Sequence, residues 1–380
     1  MRFPVAAGST ARHHVVLVGG GHSHVEVLKI WASRPVPDTR LTVVSDSARA
    51  VYTGMVPGYV AGQYALAELE IDVERLARRA HARWIETRAT TLDGSARTLH
   101  VEGVAPISYD TASFDVGSTV TGLDVPGVEK HALCTRPIRE FAHRVHALLE
   151  RVRQRPSLRL VVVGAGAGGV ELACAFRARL SRFGLPDASV TLLERGPRIL
   201  PGYPRSAAAR LERHARARPI EIRCGMGVTR AEADHLVLEN GESMPCDALV
   251  WVTGAASVSL FDRAGLERDE HGFVKVRETL QALGHDEIFA SGDCASLLTD
   301  PRLPKAGVFA VREGPILAGN LRARITGTRL RPYRPQRDFL SLLNLGDGRA
   351  VAVKWGFSAE GRWAWRLKDA IDRRFVRRYQ

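Results

Sequence analysis

Residues 160–163 form a short apolar run that stops at Gly164-Ala165-Gly166-Ala167-Gly168-Gly169. A helical apolar period over residues 170–180 follows at once, and a second run, residues 190–193, ends on Glu194. Run, glycine turn, helix and run make a parallel βαβ unit. Gly164, Gly166 and Gly169 fall at the spacing G-x-G-x-x-G, which constrains this chain more than any other feature. The first glycine makes the tight turn. The second lets the backbone approach a pyrophosphate seated on the helix N-terminus, and the third lets helix and strand pack closely. Glu194 is placed to accept hydrogen bonds from both hydroxyls of an adenosine ribose and to repel a 2′-phosphate, which favours NADH over NADPH. Arg195 follows and pulls the other way, because a guanidinium pairs well with phosphate.

A second turn of the same kind stands near the start of the chain. Residues 14–18 are β-rich, Gly19-Gly20-Gly21-His22-Ser23-His24 follow, residues 25–31 read as a helix and residues 41–44 as a strand. Gly19 and Gly21 fill the first two glycine roles. His24 replaces the third glycine, so the helix is expected to pack less closely there. Ser45 or Asp46 meets the ribose, with Asp46 preferred for its charge; a solvated turn aspartate is the other reading. A third element closes the set. Residues 288–290 form a buried strand that ends at Ser291-Gly292-Asp293-Cys294. Asp293 is either a simple N-cap or a carboxylate that accepts a hydrogen bond from a ribityl hydroxyl, with the helix dipole facing flavin phosphates. After two dinucleotide turns the second reading prevails, and the expected cofactors are FAD and NADH.

The expected fold is α/β with two Rossmann-like dinucleotide-binding domains. The FAD domain is discontinuous, residues 1–125 and 255–330. The NAD(P)H domain, residues 126–254, is inserted, and residues 331–380 form a C-terminal segment after Pro332 and Pro335. Residues 51–62 read as an ordered loop, 84–102 as strands of a meander, 138–153 as a long amphipathic helix and 249–253 as a buried strand ending at Gly254.

Composition narrows the function. The net charge is +13, but the excess is almost all arginine spread along the chain, which reads as solvated faces rather than a nucleic-acid surface. Cys134, Cys174, Cys224, Cys246 and Cys294 show no C-x-x-C spacing, which excludes a zinc ribbon and a local redox disulfide and suits a reducing, cytoplasmic compartment. The histidines show no ligand spacing, so no metal site is expected. Residues 1–14 lack an apolar leader, and the longest apolar run, residues 248–261, is too short to span a bilayer.

Taken together the chain resembles the pyridine nucleotide-disulfide oxidoreductase superfamily, and within it the type II NADH dehydrogenase-like flavoproteins. More narrowly it is similar to the group often fused to selenide, water dikinase, though no kinase domain is expected here. The resemblance rests on residues 19–24, Tyr52-Thr53-Gly54-Met55-Val56-Pro57-Gly58, Asp115-Val116-Gly117-Ser118, Gly292-Asp293, residues 304–314 and Lys368-Asp369-Ala370-Ile371-Asp372-Arg373. It implies that residues 19–24 wrap the FAD pyrophosphate, His22 and His24 among them. Met55 and Pro57 would lie near the flavin ring, and Gly117 and Gly254 would end strands where the chain passes a cofactor. Glu171 would sit beside the nicotinamide; its other reading is an acid that favours the helix dipole. Lys305 to Gly314 would form the flavin pyrimidine edge and the acceptor side, with Lys305 and Arg312 as working groups.

The chain departs from the quinone reductases at this last element. Aligning on Pro304-Lys305 puts Val308 and Arg312 where those enzymes carry glutamines. A buried positive charge near the flavin is therefore expected at Arg312, and the small-molecule acceptor stays open, with a quinone as one candidate. Residues 25–31 carry no cysteine pair, so disulfide reductase activity is not expected. Two other readings stand: a sulfide- or selenium-compound-oxidising flavoprotein, which would bring Cys294 and another cysteine to the flavin, and a redox-sensing module that holds FAD without fast turnover. Residues 366–380 place Leu367, Ile371 and Phe375 on one helix face and arginines on the others, beside Trp363 and Trp365. Such a segment either makes peripheral contact with the inner face of an anionic membrane or packs on its own protein.

Overall fold

The computed structural model describes residues 12–153 and 157–380. Most of residues 1–14, where no leader is expected, lie outside the described residues. β1 (His13–Val18) is buried along all but its first residue. A strand covered on both faces reads as a continuous apolar run, the mark of a parallel sheet with helices on either side. The chain turns through Gly19–Gly21 directly into α1 (His22–Ser33) and returns as β2 (Thr39–Ser45). The helix starts three residues before its apolar period suggests, because His22 to His24 are already helical. The expected loop over residues 51–62 contains a 3-10 turn, Thr53–Met55, and α2 (Val56–Ala61), closed by Gly62 in the left-handed conformation. Pro57 is tolerated because the first helical turn makes no use of its missing N–H.

β3 (Arg83–Glu86) pairs with β2, and β4 (Thr111–Phe114) with β1, all parallel. Val18 lies opposite both Val44 and Phe114, so the carboxyl ends of the strands finish level at one crevice. Trp84 thus belongs to the parallel sheet; the three-stranded antiparallel sheet begins later, at Ala89–Asp93. The expected meander ran the two together because a half-exposed edge strand alternates as a meander strand does.

Thr119–Val120 pairs antiparallel with Ala255–Ala256, so the outgoing and returning crossings run side by side. Between them the chain builds β5 (Ala132–Cys134), α3 (Ile138–Arg153), β6 (Arg159–Val163), α4 (Ala167–Arg182), β7 (Ser189–Glu194), β8 (Ile220–Cys224) and β9 (Ala248–Trp251). The strands form a second parallel sheet in the order β5-β9-β6-β7-β8. α3 buries Phe141, Val145, Leu148 and Val152, the stripe its sequence period dictates. β10 (Ile288–Ala290) then rejoins the first sheet beside β4, giving β10-β4-β1-β2-β3.

α5 (Gly307–Thr326) packs along α1. β11 (Ser341–Asn344), β12 (Ala350–Lys354) and β13 (Phe357–Gly361) form an antiparallel sheet, and α6 (Arg362–Arg377) lies against it. The faces of α6 are inverted relative to an ordinary packed helix. Lys368 and Asp372 are buried with Ala364 and Val376, while Leu367 and Ile371 are 38% and 45% exposed.

Candidate functional site

One cavity of about 2650 Å³ runs between the two parallel sheets and is walled by both glycine turns. It exceeds the roughly 300–1,000 Å³ of a single small-ligand pocket. Of the residues the sequence selects, Gly19, Gly20, Gly21, His22, Ser45, Asp46, Pro57, Gly117, Gly164, Gly166, Glu171, Glu194, Gly254, Asp293 and Lys305 all line it.

The two turns share one geometry. Gly19 and Gly164 have φ of +93° and +101°, and a Cβ on either would come within 2.4 Å of a backbone oxygen of the neighbouring strand end. The third-glycine position differs between them. A Cβ on Gly169 would lie 1.8 Å from the Gly164 carbonyl oxygen, so only glycine lets α4 close on its turn. In α1 the equivalent His24 is fully buried, and its ring answers the same carbonyl. Nδ1–H donates to the Gly19 oxygen at 2.7 Å and Nε2 accepts from the Ser113 hydroxyl at 2.9 Å. The gap expected from losing the glycine is filled by the imidazole. Burial holds that ring neutral, at about 4.

Glu194 is fixed from two sides. Its carboxylate accepts the Ala165 N–H at 2.7 Å and the Gly196 N–H at 2.8 Å. Arg195 is 81% exposed and paired with Glu239 at 2.7 Å, and Glu239 also lines the cavity. The cavity beside the second turn is thus lined by two carboxylates.

Behind the first turn stands Asp115, which the sequence shows only as the first residue of the 115–118 motif. Its buried carboxylate accepts the N–H groups of Ser23 at 2.8 Å and His24 at 3.1 Å, capping α1 from another strand. Burial pushes it up to about 6. Asp293 accepts from the Ser118 hydroxyl at 3.1 Å and pairs with Arg136 at 3.1 Å. The Lys305 ammonium sits 4.0 Å from the centre of the Phe273 ring and donates to the Ala295 carbonyl, and burial lowers its pKa.

On the other side of the cavity Glu171 accepts the Asn344 N–H at 2.7 Å. Its apolar surroundings push it up to about 7, against the pull of the Lys368 ammonium. Lys368 donates to the Gly54 carbonyl at 2.7 Å and pairs with Asp372 at 2.9 Å, and the Tyr52 hydroxyl donates to Asp372 at 3.2 Å. The two motifs at residues 52–58 and 368–373 are therefore one structure, which braces the cavity wall from α6.

Several expectations are corrected. Arg312 is exposed, and neither it nor Val308 lines the cavity, so no buried charge stands there. The reason is helix phase: α5 turns Phe309, Ala310, Glu313 and Leu317 inward, which leaves 308 and 312 on another face. Glu313 is the buried group instead; it accepts the Gly292 N–H at 2.6 Å and burial pushes it up to about 7. Met55 is fully buried in the core, while its neighbours Gly54, Val56 and Pro57 line the cavity. Ser23 and His24 serve the turn rather than its open side, Ser23 donating to the Ala310 carbonyl at 2.8 Å. Gly169 and Gly292 lie behind the wall.

None of the five cysteines lines the cavity. The Cys294 thiol contacts the backbone oxygens of Phe114 and Ser291, and burial pushes it up to about 12. Among the described residues no cluster of histidine, cysteine and carboxylate side chains could hold a metal ion.

These walls fit two dinucleotides. Both turns need glycine where a Cβ would meet backbone, both open on one cavity, and carboxylates line that cavity beside each turn. Comparison with known proteins agrees. Residues 13–314 match the family described as pyridine nucleotide-disulphide oxidoreductase. A probable NADH dehydrogenase of Dictyostelium discoideum is 24% identical over 298 residues, 70% of this chain and 65% of that protein, so the chain spans just under two thirds of that relative. A type II NADH:quinone oxidoreductase of Staphylococcus epidermidis is 22% identical over 388 residues, 96% of this chain and 95% of the relative. The sulfide:quinone oxidoreductase of Aquifex aeolicus has the same fold, with a TM-score of 0.80 at 17% identity over 97% of this chain and 91% of its own. The chain belongs to the pyridine nucleotide-disulphide oxidoreductase family, and it is an oxidoreductase with two Rossmann-like units.

Proposed function

We propose that the protein is a type II NADH dehydrogenase-like enzyme that oxidises NADH through FAD and passes the electrons to a small acceptor, a quinone being the leading candidate. One observation carries this reading: a single cavity joins both glycine turns, so the two dinucleotides can meet without a domain closing. FAD, when bound, supplies the hydride chemistry. The chain's own residues bind and orient. Gly19–His22 and Asp293 would hold the flavin dinucleotide, Gly164, Gly166 and Glu194 the nicotinamide dinucleotide. Glu171 can hold or release a proton at its carboxylate near neutral pH, and Lys305 gives the wall beside Phe273 a cation. Anaerobic titration with NADH, followed by reoxidation with a panel of quinones and dyes, tests the reading. A colourless protein that takes up no FAD would overturn it, and so would a flavin that NADH does not reduce.

The adenosine end supports NADH over NADPH. Arg195 is held by Glu239, although an exposed pair of that kind is worth only about 0–1 kcal/mol. Replacing Glu194 with alanine removes the nearer carboxylate and two anchors of the turn. The NADH/NADPH ratio of kcat/KM is expected to fall by about tenfold, the loss of roughly one charge-assisted hydrogen bond. An unchanged ratio would take Glu194 out of nucleotide selection.

Glu171 makes the pH profile informative. Its carboxyl keeps its proton to about pH 7, so protons for the reduced acceptor are at hand below that pH and lost above it. Turnover is expected to decline as pH rises through about 7, and Glu171→Gln to flatten that inflection. A variant with the wild-type profile would leave Glu171 to its helix.

The outer side of α6 supports peripheral membrane contact. Trp355 and Phe357 at the β12–β13 turn are 72% and 79% exposed, and on α6 Trp363, Leu367 and Ile371, spaced four apart, are also exposed beside exposed Arg362 and Arg366. Among the described residues no helix is long and apolar enough to cross a membrane. An apolar strip flanked by arginine suits the interface of an anionic bilayer. Vesicle co-sedimentation of wild type against a Trp355→Ser, Phe357→Ser variant checks this.

A further inference from the structure

Arg136 stands between β5 and α3, on the segment that leads into the nicotinamide unit, yet its guanidinium reaches the flavin unit. One nitrogen donates to the Ser118 hydroxyl, and the other lies 3.1 Å from Asp293 Oδ2 and 3.5 Å from the Lys305 carbonyl oxygen. Ser118 in turn donates to the same Asp293 oxygen at 3.1 Å. Asp293 Oδ1 makes no hydrogen bond among the described residues, so one oxygen is held and the other can still accept. All four residues line the cavity.

The charge around Asp293 explains why a guanidinium is needed. The carboxylates of Asp115 and Glu313 both act on Asp293 unfavourably. His22 feels the same charge, but burial lowers its pKa. The Lys305 ammonium is turned to the Ala295 carbonyl and the Phe273 ring. Among the described residues Arg136 is thus the cation in contact with Asp293, with Lys305 acting on it from farther off, and an arginine fork can bridge two acceptors where an ammonium offers a point charge.

We propose that Arg136 is the positioning residue of the flavin carboxylate: it fixes Asp293 and balances its charge so that Oδ1 stays free for the flavin's ribityl hydroxyl. This rests on the FAD reading above. It also places a residue of the nicotinamide-side crossing in the flavin site, so the second unit completes the site of the first. Without Arg136, an unbalanced carboxylate would face a flavin that gains negative charge on reduction.

The test is the FAD release rate and the flavin midpoint potential of the holoenzyme. Arg136→Ala is expected to release FAD about tenfold faster and to weaken reduced relative to oxidised flavin by about tenfold, a fall of about 30 mV for a two-electron couple. Arg136→Lys restores part of both. Adding Asp293→Asn to Arg136→Ala removes the unbalanced charge, so the potential returns towards wild type, a non-additive result that lost packing does not produce. Unchanged release and potential in Arg136→Ala, or strictly additive effects in the double variant, would overturn the proposal. A wild-type protein that binds no FAD would overturn the reading beneath it, and that is visible before any variant is made.

Discussion

Gly169→Ala is expected to slow flavin reduction by NADH about a hundredfold while leaving FAD content unchanged. The added Cβ would lie 1.8 Å from the Gly164 carbonyl oxygen and 2.9 Å from its carbon. Both atoms belong to backbone, and Gly164 is itself held at φ +101° against Val252. Neither partner can swing aside, so α4 must move off its turn by about 1 Å or more, a displacement that commonly costs a reaction about 10²-fold. Over-packing of this kind costs about 1–3 kcal/mol in stability as well. The damage stays in the second unit, because the first turn closes through His24 and Asp115 instead. Stopped-flow reduction by NADH, set beside reduction by dithionite, separates the two. Slowing of both to the same degree would mean that the flavin site had been disturbed, and normal NADH reduction would remove this turn from nucleotide binding.

Lys368→Met is expected to destabilise the protein by about 3–5 kcal/mol, because it leaves the buried Asp372 carboxylate without its cation. The ammonium contacts Asp372 and the Gly54 carbonyl and acts on Glu171 across the gap between α6 and α4. Its pKa is raised by Asp372 and Glu171, in spite of burial. A lysine with a raised folded pKa contributes in full below its unfolded value, so its stabilisation persists through neutral pH. Glu171 runs the opposite way. Its pKa rises from the usual 4.5 to about 7, so the unfolded chain ionises first and stability falls as pH climbs through that window. Removing Lys368 deepens that fall. Thermal melts are expected to show a larger loss at about pH 8 than at about pH 5.5, and Lys368→Met with Asp372→Leu to recover much of it. A loss that is the same at both pH values would show that packing, not charge, is what Lys368 supplies.

Residues near in sequence settle themselves. The turns at 19–21 and 164–169, the strands that feed them and the long helix at 138–153 were legible because each rests on local backbone geometry or a local apolar period. Glu194 could be placed from its distance beyond Gly169 for the same reason, since one βαβ unit fixes both ends. Legibility ended where distant segments meet. Arg312 aligned well with the acceptor element but lies on the wrong side of α5, because alignment carries residue number and not helix phase. Asp115, Glu313 and Arg136 were invisible as a set. Asp115 and Glu313 sit in quoted motifs and Arg136 in none, yet their shared charge shows only when β4, α5 and the crossing after β5 bring them to Asp293. The sequence by itself determined two glycine turns and the α/β order that joins them. Only the tertiary structure decided which charges face the cavity and that α6 buries Lys368 while exposing Leu367. Burial and electrostatic pairing depend on through-space distance, which the folded chain alone defines.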